Sequence, residues 1–192
     1  MNLMAIIFVA ILANNIVLNQ FLGICPYIGV SRRIETSLGM GMAVIFVMTM
    51  AAIVTWIIYN VLLVPLDLIY LRTIAFILVI AGLVQLVETI LKKTNPTLFR
   101  ALGIYLPLIT TNCAILGVAL LNVQAGHNII QTIVYAIAAA IGFTIALIVM
   151  AGIRERLDLA NISSMLRGAA VTLVTAGILS LAFMGFKGIV TL

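Results

Sequence analysis

Two cysteines, Cys25 and Cys113, are the side chains of this sequence best suited to metal or redox chemistry. They stand in matching contexts, CPYIGV at residues 25–30 and CAILGV at residues 113–118, so both follow the pattern C-x-x-x-G-V. Thiolates bind iron–sulfur clusters, zinc and copper(I). An ordinary iron–sulfur cluster needs four thiolates, so a partner would have to donate those that this chain lacks. Core packing of two small apolar side chains and a disulfide between them are the alternatives.

The composition places these cysteines in a membrane protein. The chain of 192 residues contains only ten basic and five acidic residues, and 65% of its residues are hydrophobic. Soluble domains are about 25% charged, so a water-soluble enzyme, a disordered chain and a disulfide-stapled secreted domain are excluded. The N-terminal apolar stretch has no basic region before it and is predicted to be a retained span. The chain has no nucleotide loop, no nucleophile with a base and no paired carboxylates, so we expect no independent active site.

Apolar segments between the charges predict an all-α integral membrane protein with six transmembrane helices. Each segment is close to the ~20 residues that cross ~30 Å of hydrocarbon as a helix. The predicted segments are 3–24, 38–64, 71–91, 101–122, 129–153 and 169–190.

The basic residues are unevenly distributed between the two sides of the predicted bundle. Eight of the ten lie after the first, third and fifth segments: Arg32, Arg33, Lys92, Lys93, Arg100, Arg154, Arg156 and Arg167. The opposite side has Arg72 and Lys187. Since basic loops stay in the cytoplasm, both termini are predicted to be periplasmic. The stretch from Arg154 to Gly168 is the longest loop and could contain one short interfacial helix.

The spacing of the two cysteine motifs indicates an internal repeat. They lie close to half the chain apart, and each is preceded by one apolar segment and followed by two. A three-span unit crosses the membrane an odd number of times, so its second copy must be inverted. We therefore expect one transmembrane domain, 1–192, with inverted repeats over approximately 1–95 and 96–192. Equivalent residues of the two repeats can then approach each other near the midplane.

Polar residues crowd the approach to each cysteine and predict that the first and fourth helices are broken or re-entrant. Such side chains belong at a protein-lined interior rather than against lipid. Pro26 is expected to interrupt a regular helix just after Cys25. The polar residues are Asn14, Asn15, Asn19, Gln20, Thr110, Thr111 and Asn112.

Longer stretches around the cysteines resemble a known family. The run FLGICP at 21–26 and the run LGIYLPLITTNCA at 102–114 are similar to the family of the A subunit of the Rnf (Rsx) electron-transport complex. YLRTIAF at 70–76 and GIRER at 152–156 are similar as well. The resemblance covers the whole chain, and it extends to a sister family, the E subunit of the sodium-pumping NADH:quinone oxidoreductase.

The resemblance implies a role for the cysteines. Cys25 and Cys113 would be two of the four ligands of a [2Fe–2S] cluster shared with a homologous subunit of opposite orientation, the E subunit of the Rnf complex. A single iron held by four thiolates is the less favoured alternative. The family moves electrons between ferredoxin and NAD in the bacterial inner membrane and couples this to sodium or proton export. Other Rnf subunits and the bilayer are the expected partners, and nucleic acid is not. No flavin is expected here, because the S-G-A-T motif that holds FMN in flavin-carrying subunits is absent.

Two other functions fit the pattern of spans. A small inverted-repeat permease would bind a solute at the polar midplane residues. A purely structural membrane subunit is the third interpretation. His127 is predicted to be a solvated loop residue rather than a metal ligand. Gly39 and Gly41 fit a close approach of another helix, with the partner subunit as one candidate.

Overall fold

The computed structural model of the chain describes residues 3–94, 106–159 and 168–190, and these residues form helices joined by short connections. No strand occurs among them, which confirms the all-α prediction. A helix satisfies its own backbone hydrogen bonds, which lipid cannot do for it. The helices are α1 (Leu3–Phe8), α2 (Ile24–Val30), α3 (Ile34–Ile58), α4 (Arg72–Thr94), α5 (Leu106–Thr110), α6 (Cys113–Gln124), α7 (Ile129–Leu159) and α8 (Ala169–Val190).

Four helical stretches of the described residues are long and apolar enough to cross a membrane. They are Ile34–Leu63, Ile69–Ile90, Pro107–Gln124 and Ile129–Leu159. The chain is thus a multi-pass membrane protein by the length and composition of its helices. The apolar part of α8, Ala170–Gly185, is shorter. The count of six crossings therefore stays a prediction.

Helix α7 is longer than the sequence pattern predicts. It continues past residue 153 to Leu159, so Arg154 and Arg156 lie on its last turns rather than in a loop. Long basic side chains can extend from a helix end toward water, so charge need not end a membrane helix. Residues 160–167, the rest of the predicted interfacial loop, lie outside the described residues.

The centre of the fold is the antiparallel pair α3 and α7, which form the most extensive contact between two helices. At one end the backbone N–H of Ile34 donates to Oε1 of Glu155 at 3.1 Å. At the other end Trp56 Nε1 donates to the carbonyl of His127 at 3.0 Å. Between these ends Gly41 is buried against Thr144, and a Cβ at Gly41 would overlap that side chain. The predicted close approach at Gly41 is therefore made by α7 of the same chain.

The first predicted segment is interrupted between α1 and α2. A π-helical turn, Val9–Ala13, ends α1, and regular helix resumes only at Ile24. The buried side chain of Asn15 supports the irregular backbone, since its Nδ2 donates to the Gly142 carbonyl at 2.8 Å. Its Oδ1 accepts from the N–H of Val17 at 3.1 Å. A helix that packs on this break must come very close, and a Cβ on Gly142 would lie 3.2 Å from the carbonyl oxygen of Ile11.

The fourth predicted segment is interrupted as well. Helix α5 ends at Thr110 and α6 begins at Cys113, so two residues, Thr111 and Asn112, separate the helices. Both interruptions that the polar residues predicted are thus present in the described residues. Each interruption directly precedes a helix that carries a cysteine in its first turn, and these two turns form the site described next.

Candidate functional site

Cys25 lies in the first turn of α2, immediately after the first interruption. Gly23 caps this helix in the left-handed conformation, with φ +82°, which glycine adopts without steric cost. Pro26 also lies in the first turn, where the N–H that proline lacks has no partner within the helix. The expectation that Pro26 interrupts the helix after Cys25 is therefore wrong. The interruption precedes Cys25, and the proline helps to start the helix.

Cys113 is the first residue of α6, immediately after the second interruption. Asn112 caps this helix, since its Oδ1 accepts the backbone N–H of Ala114 at 3.0 Å. Asparagine is among the residues preferred at this position because its side chain replaces a missing helical acceptor.

The two cysteine-bearing turns meet although they are far apart in sequence. The backbone N–H of Gly23 donates a hydrogen bond to Sγ of Cys113, with a nitrogen–sulfur distance of 2.9 Å. A Cβ on Gly23 would lie 2.8 Å from Cε2 of Phe143 and 3.1 Å from Cβ of Ala114. Only glycine fits this position, because a larger residue would separate the two turns. The amide of one turn is thus held against the thiol of the other.

The two thiols differ in exposure, and both are free. Cys25 is exposed on the surface of the chain, while Cys113 is partly buried. Core packing therefore does not explain Cys25, and no disulfide joins the two residues. An exposed thiol on an apolar chain is open to lipid or to another protein. Cys25 therefore lies where a second chain could complete a shared site.

The described residues contain no group of three or more histidine, cysteine or carboxylate side chains that could hold a metal ion. The candidate ligands at this site are the two thiols. Two soft ligands can hold half of a tetrathiolate site, and another chain would supply the remainder.

The polar residues around the two breaks have different roles. Asn15 binds the backbone of the first break, and the Thr111 hydroxyl donates to the Pro107 carbonyl at 3.0 Å. Asn112 is 3% exposed, and its Nδ2 has no hydrogen-bond partner within residues 3–94, 106–159 and 168–190. Its Oδ1 lies 3.4 Å from the position of a Cβ on Gly23. Asn112 therefore brings an unused donor beside the contact between Gly23 and Cys113.

Comparison with known proteins identifies the family of the chain. Residues 3–190 match the family described as "Rnf-Nqr subunit, membrane protein". The chain belongs to this family. It is 57% identical to proteins from Citrobacter koseri and Escherichia fergusonii that are named as the A subunit of an ion-translocating oxidoreductase complex, over 95% of this chain and 94% of each relative. A protein of the same name from Escherichia coli K12 has the same identity and coverage. The resemblance that the cysteine-containing stretches indicate is thus confirmed.

Some contributors to the site in this member of the family were not predicted from the sequence. The sequence gives no signal for Gly23, because its close approach to Phe143 depends on how α7 packs against the break. In the sequence Asn112 is one of several polar residues that precede a cysteine. An asparagine directly before an apolar run is a recognised signal for a helix N-terminus, and it would have identified the start of α6.

His127 lies away from this site and is more enclosed than the sequence predicts. It is partly buried, and its Nδ1 lies 2.9 Å from Oδ1 of the buried Asn122. Its ring centroid is 5.6 Å from that of Tyr135. Burial lowers the pKa of His127 from its ordinary value of 6.5. The imidazole packs within the connection between α6 and α7. The prediction that His127 is a solvated loop residue is therefore only partly correct.

Proposed function

We propose that this chain is the A subunit of an ion-translocating oxidoreductase complex. Cys25 and Cys113 would supply two of the four thiolate ligands of an intramembrane [2Fe–2S] cluster. A homologous subunit of opposite orientation, the E subunit of the same complex, would supply the other two. The observation that carries this proposal is the junction of the two cysteine-bearing turns, with Gly23 N–H donating to Cys113 Sγ.

The residues at this junction fit such a group. Two free thiols stand at the starts of two helices, and one of them is exposed where a second chain could bind. Nδ2 of the buried Asn112 is a donor for an acceptor that the described part of the chain does not supply. Iron–sulfur clusters carry negative sulfur atoms, which hydrogen bonds from backbone and side-chain amides stabilise. When bound, the cluster would carry an electron through the interior of the membrane.

The packing of the helices supports the inverted repeat, in which α3 corresponds to α7 and α4 to α8. Equivalent helices run in opposite directions, as the contacts at the two ends of α3 and α7 indicate. Contacts elsewhere occur in equivalent pairs: α3–α4 with α7–α8, α3–α6 with α7–α2, and α4–α6 with α8–α2. A pseudo-two-fold axis in the membrane plane would produce this pairing and would bring the two cysteine turns together.

The charged residues support the orientation. Arg154 donates from its guanidinium to the Ile28 carbonyl at 2.7 Å and to Ser31 Oγ at 3.0 Å. The end of α7 and the end of α2 therefore share one end of the molecule, where Arg32 and Arg33 line a cleft with residues of α7. The positive-inside rule would make this end cytoplasmic and would leave both termini in the periplasm of a bacterial inner membrane.

The chain's own residues would perform three tasks in this role. The two thiols would hold the group, Gly23 would let the two turns approach closely, and Phe143 would pack against Gly23. Burial of a charged group in hydrocarbon is costly unless nearby dipoles offset the lost hydration. We propose that the complex transfers electrons between ferredoxin and NAD and couples this transfer to sodium or proton export.

Substitution of the thiols tests the proposal. Cys25→Ser and Cys113→Ser are introduced into the intact complex, which is purified and assayed for iron, acid-labile sulfide and the EPR signal of the reduced cluster. We expect each variant to assemble and to lose the signal, together with the corresponding iron and sulfide. Thr111→Ser is the matched control, because it keeps the hydroxyl that donates to Pro107, and it should retain the full signal. An unchanged signal in either cysteine variant would contradict the proposal, as would solute uptake by the chain alone with no iron in the complex.

A further inference from the structure

Asn112 uses only half of its carboxamide within this chain. Its Oδ1 caps α6 by accepting from the N–H of Ala114 at 3.0 Å. The residue is only 3% exposed, and its buried Nδ2 has no hydrogen-bond partner among the residues that the structure describes. Leaving a buried donor unpaired costs free energy, so such groups are rare and usually have a partner of some kind.

The position of Asn112 identifies the kind of partner. Its carboxamide oxygen lies 3.4 Å from the position of a Cβ on Gly23, and the N–H of Gly23 donates to Sγ of Cys113. The Asn112 side chain is therefore next to the backbone donor of the Cys113 thiol and immediately precedes Cys113 in the chain. A sulfur atom that carries negative charge at Cys113 would be a suitable hydrogen-bond acceptor for this Nδ2.

We propose that Asn112 Nδ2 donates a hydrogen bond to a sulfur atom of the iron–sulfur group bound at Cys113, and that this bond raises the midpoint potential of the group. The inference rests on the proposed function, because it requires the cluster to be present. Reduction adds negative charge to the cluster, and a hydrogen bond to sulfur stabilises the reduced form more than the oxidised form. Asn112 is thus a positioning residue that acts on the cluster without being one of its ligands.

Two substitutions separate the donor from the cap. Asn112→Ser and Asn112→Ala both remove Nδ2, but serine retains an oxygen that can cap α6. In the purified complex we expect full iron and sulfide content and a lower midpoint potential in both variants, measured by EPR-monitored redox titration. We expect loss of thermal stability mainly in Asn112→Ala. A purely structural role would leave the potential unchanged in Asn112→Ser.

Asn122 provides a matched control within the same helix. It is also buried, and its Nδ2 also has no hydrogen-bond partner, but it lies at the opposite end of α6 from Cys113. Asn122→Ser should leave the midpoint potential of the cluster unchanged. An equal shift in Asn122→Ser would overturn the inference, because it would show that any lost asparagine in α6 alters the potential.

The outcomes distinguish this inference from the proposed function. A wild-type complex without iron and sulfide overturns the proposed function and the inference with it. A full cluster with an unchanged potential in both Asn112 variants overturns the inference alone. If both variants lose the cluster, the hydrogen bond is tested instead by pulsed EPR on the wild-type complex, labelled with ¹⁵N in the asparagine side chains. A nitrogen coupling to the reduced cluster supports the donor, and its absence overturns it.

Discussion

Gly23→Ala should destabilise the protein more than any other single glycine-to-alanine change at the cysteine turns. Gly23 has φ +82°, and the left-handed conformation costs an L-residue about 1–2 kcal/mol. The new methyl group would also lie 2.8 Å from Phe143 Cε2 and 3.1 Å from Ala114 Cβ. Overpacking of this kind costs about 1–3 kcal/mol. The two costs together amount to roughly 2–5 kcal/mol.

Two other glycines separate these costs. Gly126 has φ +62° but open space around its Cβ position, so Gly126→Ala should lose only the conformational part, about 1–2 kcal/mol. Gly29 lies within α2 with a negative φ, and its Cβ position is 3.8 Å from the nearest atom, Cδ2 of Leu108. Alanine in a helix is favoured over glycine, so Gly29→Ala should match or exceed the wild type in stability.

The assay is thermal unfolding of the purified complex in detergent, with iron content measured on the same samples. For a chain of this size, each kcal/mol corresponds to about 2–4 °C in apparent Tm. Gly23→Ala should therefore fall by roughly 4–20 °C and lose iron, because the N–H that donates to Cys113 is displaced. The expected order of stability is Gly29→Ala, then Gly126→Ala, then Gly23→Ala. A Gly23→Ala variant as stable as Gly29→Ala, with unchanged iron, would refute the close contact of the two turns.

Three further predictions concern the rest of the fold. Arg154→Met should lower the apparent Tm, because each lost hydrogen bond to a charged group is worth about 1.5–3 kcal/mol, while the exposed Arg156→Met should change it little. Gly41→Ala should lower the free energy of unfolding by at least about 1–3 kcal/mol, because the new methyl group would force α3 away from α7. Gly39→Ala should not lower it, because the space around Gly39 is open, and equal Tm values of the two variants would contradict the packing of α3 on α7. His127 has a lowered pKa in the folded chain, so the unfolded chain takes up its proton first as the pH falls. The stabilising contribution of His127 should be complete above pH 6.5 and should decline below it. The Tm difference between wild type and His127→Gln should therefore be smaller at pH 5 than at pH 8, and an equal difference at both pH values would contradict this prediction.

The sequence predicted the arrangement of the site better than its details. The C-x-x-x-G-V motifs, each followed by two apolar segments, predicted that the turns at Cys25 and Cys113 are equivalent, and their contact is present. The two turns differ in detail, since Gly23 caps α2 with a left-handed backbone and Asn112 caps α6 with its side chain, so the inverted repeat stays a prediction. The polar residues near each cysteine predicted both interruptions, because lipid does not tolerate unpaired polar groups.

The parts that were missed depend on helix boundaries and on tertiary contacts. A proline breaks a helix only in the helix interior. Because α2 begins at Ile24, Pro26 lies in its first turn and is compatible with the helix. The space that requires glycine at position 23 is limited by Phe143, which is more than a hundred residues away in sequence. The extension of α7 to Leu159 was not predicted, because the charged residues indicated the end of the membrane helix, whereas a helix end can expose such side chains to water.

The central claim is that the cluster is shared between two chains, and iron and sulfide stoichiometry tests it most directly. The chain is purified alone and together with its homologous partner, and both samples are reduced anaerobically and assayed for iron, labile sulfide and EPR signal. We predict no stable cluster in the chain alone, because Cys25 and Cys113 would supply only half of the four ligands, and we predict one [2Fe–2S] cluster per pair. A complete cluster in the chain alone, or a pair free of iron, would contradict the account.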